Sequence, residues 1–135
     1  MVVSERPRVV IVGAGAIGCC IALALAERGE RDVLLVDRGV AGGGSSGKAA
    51  GGLRAQFSTE VNVRFTLLSQ PFFESIADEI DWRQVGYIFL ARSPDQAEQF
   101  RKNVELQRSL GVEVEWLLPD ELRRRWPYLD VEGVH

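Results

Sequence analysis

The sequence predicts an α/β fold, and three observations carry that expectation. Two short aliphatic runs, Val9–Val12 and Val33–Val36, flank a helical pattern that Gly29 stops. The first run opens directly into Gly13-Ala14-Gly15-Ala16-Ile17-Gly18. The second run ends in Asp37. Strand, glycine turn, helix, strand and acid, in that order, make a Rossmann-like dinucleotide-binding βαβ unit.

Each part has a physical task. Strand one is expected over residues 8–12, the helix over 16–28 and strand two over 32–37. Both strands are apolar without alternation, as in a parallel sheet buried on both faces. Ile17, Ile21 and Leu25, with the small Ala22, Ala24 and Ala26, suit close packing of the helix. Gly13 permits the tight turn off the strand, and Gly15 lets backbone approach a pyrophosphate. Gly18 lets the helix lie against the strand. The N–H groups and positive dipole end of the helix, beginning near Ala16, then face the phosphates. Asp37 follows about 20 residues on, placed to accept hydrogen bonds from the ribose hydroxyls of an adenosine. Its charge repels a 2′-phosphate, which argues against NADP.

After Arg38 the composition changes. Seven of the chain's 14 glycines fall within residues 39–52, GVAGGGSSGKAAGG. Such a stretch can be a flexible surface linker. Its place directly after the ribose-binding acid, with Ser45, Ser46 and Lys48 inside and Arg54 just beyond, favours a phosphate- and flavin-contacting loop.

Residues 59–80 carry an apolar stripe at Val61, Phe65, Leu68, Phe72, Ile76 and Ile80, which predicts an amphipathic helix. Pro71 falls inside it, so a kink or restart is expected there. Phe72 and Phe73 read as core. Residues 85–91 (VGYIFLA) predict a strand. Ser93-Pro94-Asp95-Gln96 starts a helix with a serine cap, a proline in the first turn and a glutamine placed to bond back. That helix runs to Leu110, and Gly111 ends it. Residues 112–117 alternate and predict another strand. Residues 119–126 form a short helix, with Arg123, Arg124 and Arg125 suiting its negative end.

The 135 residues are 46% hydrophobic and 26% charged, enough for an ordinary domain with a core. A net charge of −3 leaves no basic footprint for nucleic acid or an anionic membrane surface. Residues 9–26 are uncharged and approach the length of a membrane span, but three fingerprint glycines make them a buried strand, turn and helix. The N-terminus lacks a secretory cleavage context, so the cytoplasm is the expected address. Cys19 and Cys20 are adjacent, which is neither a disulfide nor a metal-ligand spacing, and read as small hydrophobes packed on the sheet. The single histidine, His135, excludes a multi-histidine metal site and disfavours a histidine-based triad.

On these residues a family resemblance rests. GAGAIG after the first strand, Asp37-Arg38 after the second, then the glycine/serine loop and AAGGLRAQF resemble the start of a flavoprotein amine oxidase. The group is that of D-amino-acid-oxidase-like enzymes, with glycine oxidase, the β subunit of sarcosine oxidase and dimethylglycine dehydrogenase. GYIFLA and LLPDELRRRWPYL also resemble it. The resemblance implies an FAD-binding portion over residues 1–80 and the beginning of an α+β substrate domain over 81–135. It implies FAD as cofactor, with Gly13, Gly15, Ala16, Ile17 and Gly18 at the pyrophosphate and Asp37, followed by Arg38, at the adenosine ribose. Ser45, Ser46, Gly47 and Lys48 would follow the pyrophosphate and ribityl chain, and Gly52, Leu53 and Arg54 would lie near the isoalloxazine. Where some relatives attach flavin through a histidine, this chain has Lys48, so non-covalent binding is implied. Arg54 would stabilise a reduced, anionic flavin or attract a substrate carboxylate. A structural salt bridge is the competing reading of Arg54. The implied chemistry is oxidation of the C–N bond of an amino acid or N-methylated amino acid, glycine- or sarcosine-like, with the protein holding substrate and flavin in register.

Two other functions stay open on the residues alone. An NAD-dependent dehydrogenase has nearly the same fingerprint, though it ordinarily lacks so long a glycine run after the second strand. A non-catalytic dinucleotide-binding subunit of a larger complex is the second. Enzymes of the resembled group are two to three times longer, so the chain reads as apparently truncated, a fragment or a subunit that a partner chain or oligomer completes. An unfinished parallel sheet is expected to leave an exposed edge and an apolar face.

Overall fold

The computed structural model describes residues 6–135, so most of the expected loose tail, residues 1–7, lies outside the described residues. The chain divides into two compact units, Met1–Gly52 and Leu53–His135. Compactness divides the chain earlier than the expected functional boundary at 80/81, which is a separate question of where cofactor contacts end.

The first unit contains β1 (Val9–Val12), α1 (Ala16–Glu27), β2 (Val33–Val36) and the one-turn α2 (Ser45–Lys48). β1 and β2 pair in parallel, with Val9 opposite Val33 and Val12 opposite Val36. A parallel pair needs a crossover, and α1 supplies it and packs on both strands. Ile11 is buried on the helix side, and the Cβ that Gly18 lacks would lie 3.3 Å from its Cγ2. Val10 and Val12 point the other way and are 53% and 84% exposed. The expectation of a sheet buried on both faces is therefore corrected: one helix covers one face, and β1 and β2 are the whole sheet among the described residues. The same cause corrects the reading of Cys19 and Cys20, both of which are exposed. α1 is apolar around its circumference, yet only its sheet-facing side is covered, and Ile17 stands 79% exposed.

The second unit contains α3 (Glu60–Ser75), α4 (Pro94–Ser109) and α5 (Pro119–Arg125), with α3 and α4 in contact. Val63 of α3 is fully buried, and Thr66, Ala91, Ala97, Gln107, Leu122 and Val131 are buried with it. α3 passes through Pro71 and ends at Ser75 instead of reaching residue 80. The apolar stripe continues, but Glu74, Asp78 and Glu79 crowd the negative end of the helix and oppose its extension. Phe72 is 37% exposed and so is not core; Phe73 stacks on Trp82 with ring centroids 5.9 Å apart. α4 begins as expected: Ser93 Oγ accepts the Gln96 N–H at 3.2 Å, and Gln96 Oε1 accepts the Arg92 N–H at 2.8 Å. At its far end Gly111 takes φ +90°.

Residues 85–91 and 112–117, expected as strands, are not strands. Period and propensity make a segment able to join a sheet, but a ladder of backbone hydrogen bonds makes it a strand. No such ladder reaches either segment among the described residues, and Val85 is 86% exposed. Side chains fasten the second segment instead. Arg108 Nε donates to the Val114 carbonyl at 3.1 Å, Arg101 lies over the Trp116 ring, and Arg125 pairs with Glu115 at 3.0 Å. No helix among the described residues is long and apolar enough to cross a membrane.

Candidate functional site

The glycine turn and the start of α1 form the site in the first unit. Gly13 adopts φ +107°, a conformation L side chains rarely take, and its N–H donates to the Val36 carbonyl at 2.7 Å. Gly18 is required for a different reason. A Cβ there would sit 1.9 Å from the Gly13 carbonyl oxygen, so only a hydrogen lets α1 start this close to the turn. Gly15 is the N-cap of α1, with no side-chain cap of its own. Ser46 compensates from the loop: its Oγ accepts the Ala16 N–H at 2.9 Å and lies 3.0 Å from where a Gly15 Cβ would be. Among the described residues no acceptor meets the N–H groups of Ile17 and Gly18. Free N–H groups at the positive end of a helix are the donors a phosphate oxygen takes.

Asp37 stands at the end of β2 and reaches back to that turn. Its Oδ2 accepts the Ala14 N–H at 2.7 Å and its Oδ1 accepts the Gly39 N–H at 2.8 Å. These bonds, Ala14 first and Gly39 second, with a smaller one from the Arg38 N–H, hold the carboxyl below its ordinary value of 3.8. An ionised carboxylate has roughly four acceptor positions, so capacity remains for a ribose hydroxyl.

The glycine-rich loop is folded onto the turn. The Gly42 N–H donates to the Ala14 carbonyl at 2.8 Å and the Gly47 N–H to the Gly42 carbonyl at 2.8 Å. Gly42 itself adopts φ +73°. Residues 42–47 thus fold back on the turn instead of running out as an extended linker. Ser45, Ser46, Gly47 and Lys48 form α2, a turn the sequence did not announce, with Lys48 in its last position. Replacing Ser46 with alanine should lower the stability of the first unit by about 1 kcal/mol, read by thermal unfolding, because the Ala16 N–H loses its acceptor. Equal stability of the alanine variant would show that water replaces the hydroxyl without loss.

Gly52 ends the first unit, and Leu53 and Arg54 open the second. Arg54 has no carboxylate partner among the described residues. Its guanidinium lies between the rings of Phe57 and Phe89, 5.0 Å from each centroid. The salt-bridge reading of Arg54 is thus corrected: the charge is held by aromatic faces and is not neutralised. A cleft of about 780 Å³ opens beside it, with Gln107 and Trp116 on its walls.

The residues of the first unit fit a dinucleotide: an open helix start, a turn that a Cβ would fill, and an oriented carboxylate. The family described as FAD dependent oxidoreductase (DAO) matches residues 8–135. The chain belongs to this family. Membership resolves the choice between FAD and NAD that the fingerprint left open, since the DAO family is FAD-dependent. FAD-dependent oxidoreductase domain-containing protein 1 of Xenopus laevis is 34% identical over 145 residues, covering 96% of this chain and 29% of the relative. Glycine oxidase of Geobacillus kaustophilus is 32% identical, covering 97% of this chain and 37% of the relative. The crystal structure of L-proline dehydrogenase from P. horikoshii superimposes with a TM-score of 0.86 at 32% identity, over 96% of this chain and 35% of that one. The chain spans between 16% and 37% of the length of the curated relatives it matches.

Sequence reasoning named every residue of the turn but missed how Ser46 is used. It also missed the aromatic pair around Arg54: Phe57 and Phe89 lie in two separately recognised segments, AAGGLRAQF and GYIFLA, and nothing in either pairs them across 32 residues. Glycines flanking two serines were the available signal for the folded loop. No pattern pointed to Gln107.

Proposed function

We propose that this chain is the FAD-holding portion of an oxidoreductase that oxidises the C–N bond of an amino acid or N-methylated amino acid. The observation that carries the reading is the loop clasped to the start of α1 through Ser46 and Gly42, which leaves the Ile17 and Gly18 N–H groups open. Gly13, Gly15, Ala16, Ile17 and Gly18 would hold the pyrophosphate, and Asp37 and Arg38 the adenosine ribose. Ser45, Ser46, Gly47 and Lys48 would line the path toward the flavin ring, and Gly52, Leu53 and Arg54 would face that ring. The FAD portion would reach residue 80, with the substrate domain starting at 81. Bound FAD would supply the two-electron acceptor. With Lys48 in place of a histidine, attachment would be non-covalent.

The names of two relatives support this substrate class. Glycine oxidase and L-proline dehydrogenase bear amino acids in their names, one a primary and one a secondary amine, and both with an α-carboxylate. Arg54, unpaired and fixed between two rings, complements such a carboxylate or a reduced, anionic flavin. Mixing the FAD-loaded oxidoreductase, this chain together with the part that completes it, anaerobically with glycine, sarcosine and proline in turn tests the class. Bleaching of the yellow flavin band by at least one of them is expected; bleaching by simple amines alone would contradict the carboxylate requirement. Arg54→Met should lower the two-electron potential of bound flavin by about 30 mV or more, because a nearby cation is removed. An unchanged potential would remove Arg54 from the flavin's surroundings.

A further inference from the structure

Arg54 is carried on a segment, residues 53–58, with no regular secondary structure, so its order must come from elsewhere. Three contacts supply it. Gln56 Nε2 donates to the Tyr87 carbonyl at 3.0 Å, Phe57 and Phe89 flank the guanidinium, and Gln107 Nε2 donates to the Phe57 carbonyl at 2.9 Å. The last differs from the others. Gln107 is only 3% exposed and sits on α4, a helix of 16 residues, so its end of the bond is rigid. It spans 50 residues of sequence to hold the very residue whose ring supports Arg54.

Gln107 is also costly as a core residue. Its Oε1 is buried without a partner, although a methionine of similar length would fill the space with no polar atom to satisfy. A buried glutamine with half its amide unmet is poorly explained by stability. We infer that Gln107 is the positioning residue for Arg54, fixing Phe57 and through its ring the guanidinium.

The inference rests on the reading that Arg54 serves the flavin or the substrate, and its test separates the two. In the unliganded chain, 15N relaxation of the Arg54 Nε–H should give an order parameter of about 0.8. Gln107→Met should drop it below about 0.6 with little change in melting temperature, because relief of the unmet Oε1 offsets the lost bond to the Phe57 carbonyl. Arg54 equally ordered in Gln107→Met overturns the inference, whatever happens to the melting temperature. Should that variant not fold, the wild-type side-chain amide of Gln107 decides. Slow proton exchange supports the buried bond, and exchange at the rate of an exposed glutamine overturns it. In FAD-loaded protein, Gln107→Met should shift the flavin potential in the same direction as Arg54→Met and by less. If Arg54→Met leaves the potential unchanged while Gln107→Met still disorders Arg54, the flavin reading of Arg54 fails and the positioning by Gln107 stands.

Discussion

Gly18→Ala should weaken FAD binding by about 100-fold, the order expected when a methyl group is forced into a site that cannot yield. The new Cβ would lie 1.9 Å from the Gly13 carbonyl oxygen and 3.1 Å from its carbon. Both are backbone atoms, so no side chain can swing aside. Relief requires moving the turn, and the turn is tied on each side: Gly13 to Val36 at 2.7 Å, and Ala14 to Asp37 at 2.7 Å and to Gly42 at 2.8 Å. Opening it therefore disturbs β2, the acid and the loop together. Gly29→Ala is the control. Gly29 follows the other end of α1 with φ +86°, and a methyl there would meet nothing within 4 Å, so the cost is conformational, about 1 kcal/mol. Gly29→Ala should lower stability and leave FAD affinity close to wild type. If isothermal titration finds the two variants equal in affinity, the close approach at Gly18 is not what organises the site.

Asp37→Ala should weaken FAD binding by about tenfold or more, through two losses that a single residue couples. One is the acceptor for the ribose. The other is the brace that orients the Ala14 N–H between the first two fingerprint glycines. Asp37→Asn should do little better, because an amide offers one acceptor oxygen and here two N–H groups need two. The protonation linkage has a definite sign. The folded carboxyl titrates below its ordinary value of 3.8, so its contribution to stability is fully present above that value. The contribution is lost as pH falls below 3.8 toward the folded value. Thermal unfolding of wild type and Asp37→Ala should therefore converge at acid pH and separate above it. A constant gap across that range would mean that the carboxylate charge does not brace the turn.

The sequence made the first unit legible because its signals are local. Gly13, Gly15, Gly18 and Asp37 lie within one βαβ unit of the chain, and each is fixed by a steric or hydrogen-bonding demand inside that unit. α4 was legible for the same reason, since Ser93, Pro94 and Gln96 settle its start among themselves. Residues 85–91 and 112–117 misled because strand formation is not local. Their aliphatic pattern records a capacity to pair, and the pairing needs a second segment. Cys19 and Cys20 misled in the same way: an apolar helix records what it can bury, while exposure depends on what covers it. Arg54 is the case between. Its position beside the glycine loop drew notice, but whether its charge was neutralised depended on Phe89, 35 places on, and on a glutamine that no motif marks.

This chain should hold FAD at the start of α1, without a covalent bond. A native mass spectrum of the purified chain, recorded with its visible absorption, decides this. The expected result is a yellow chain carrying one FAD, which leaves on denaturation. A colourless chain that ignores added FAD and takes up NAD would contradict the claim.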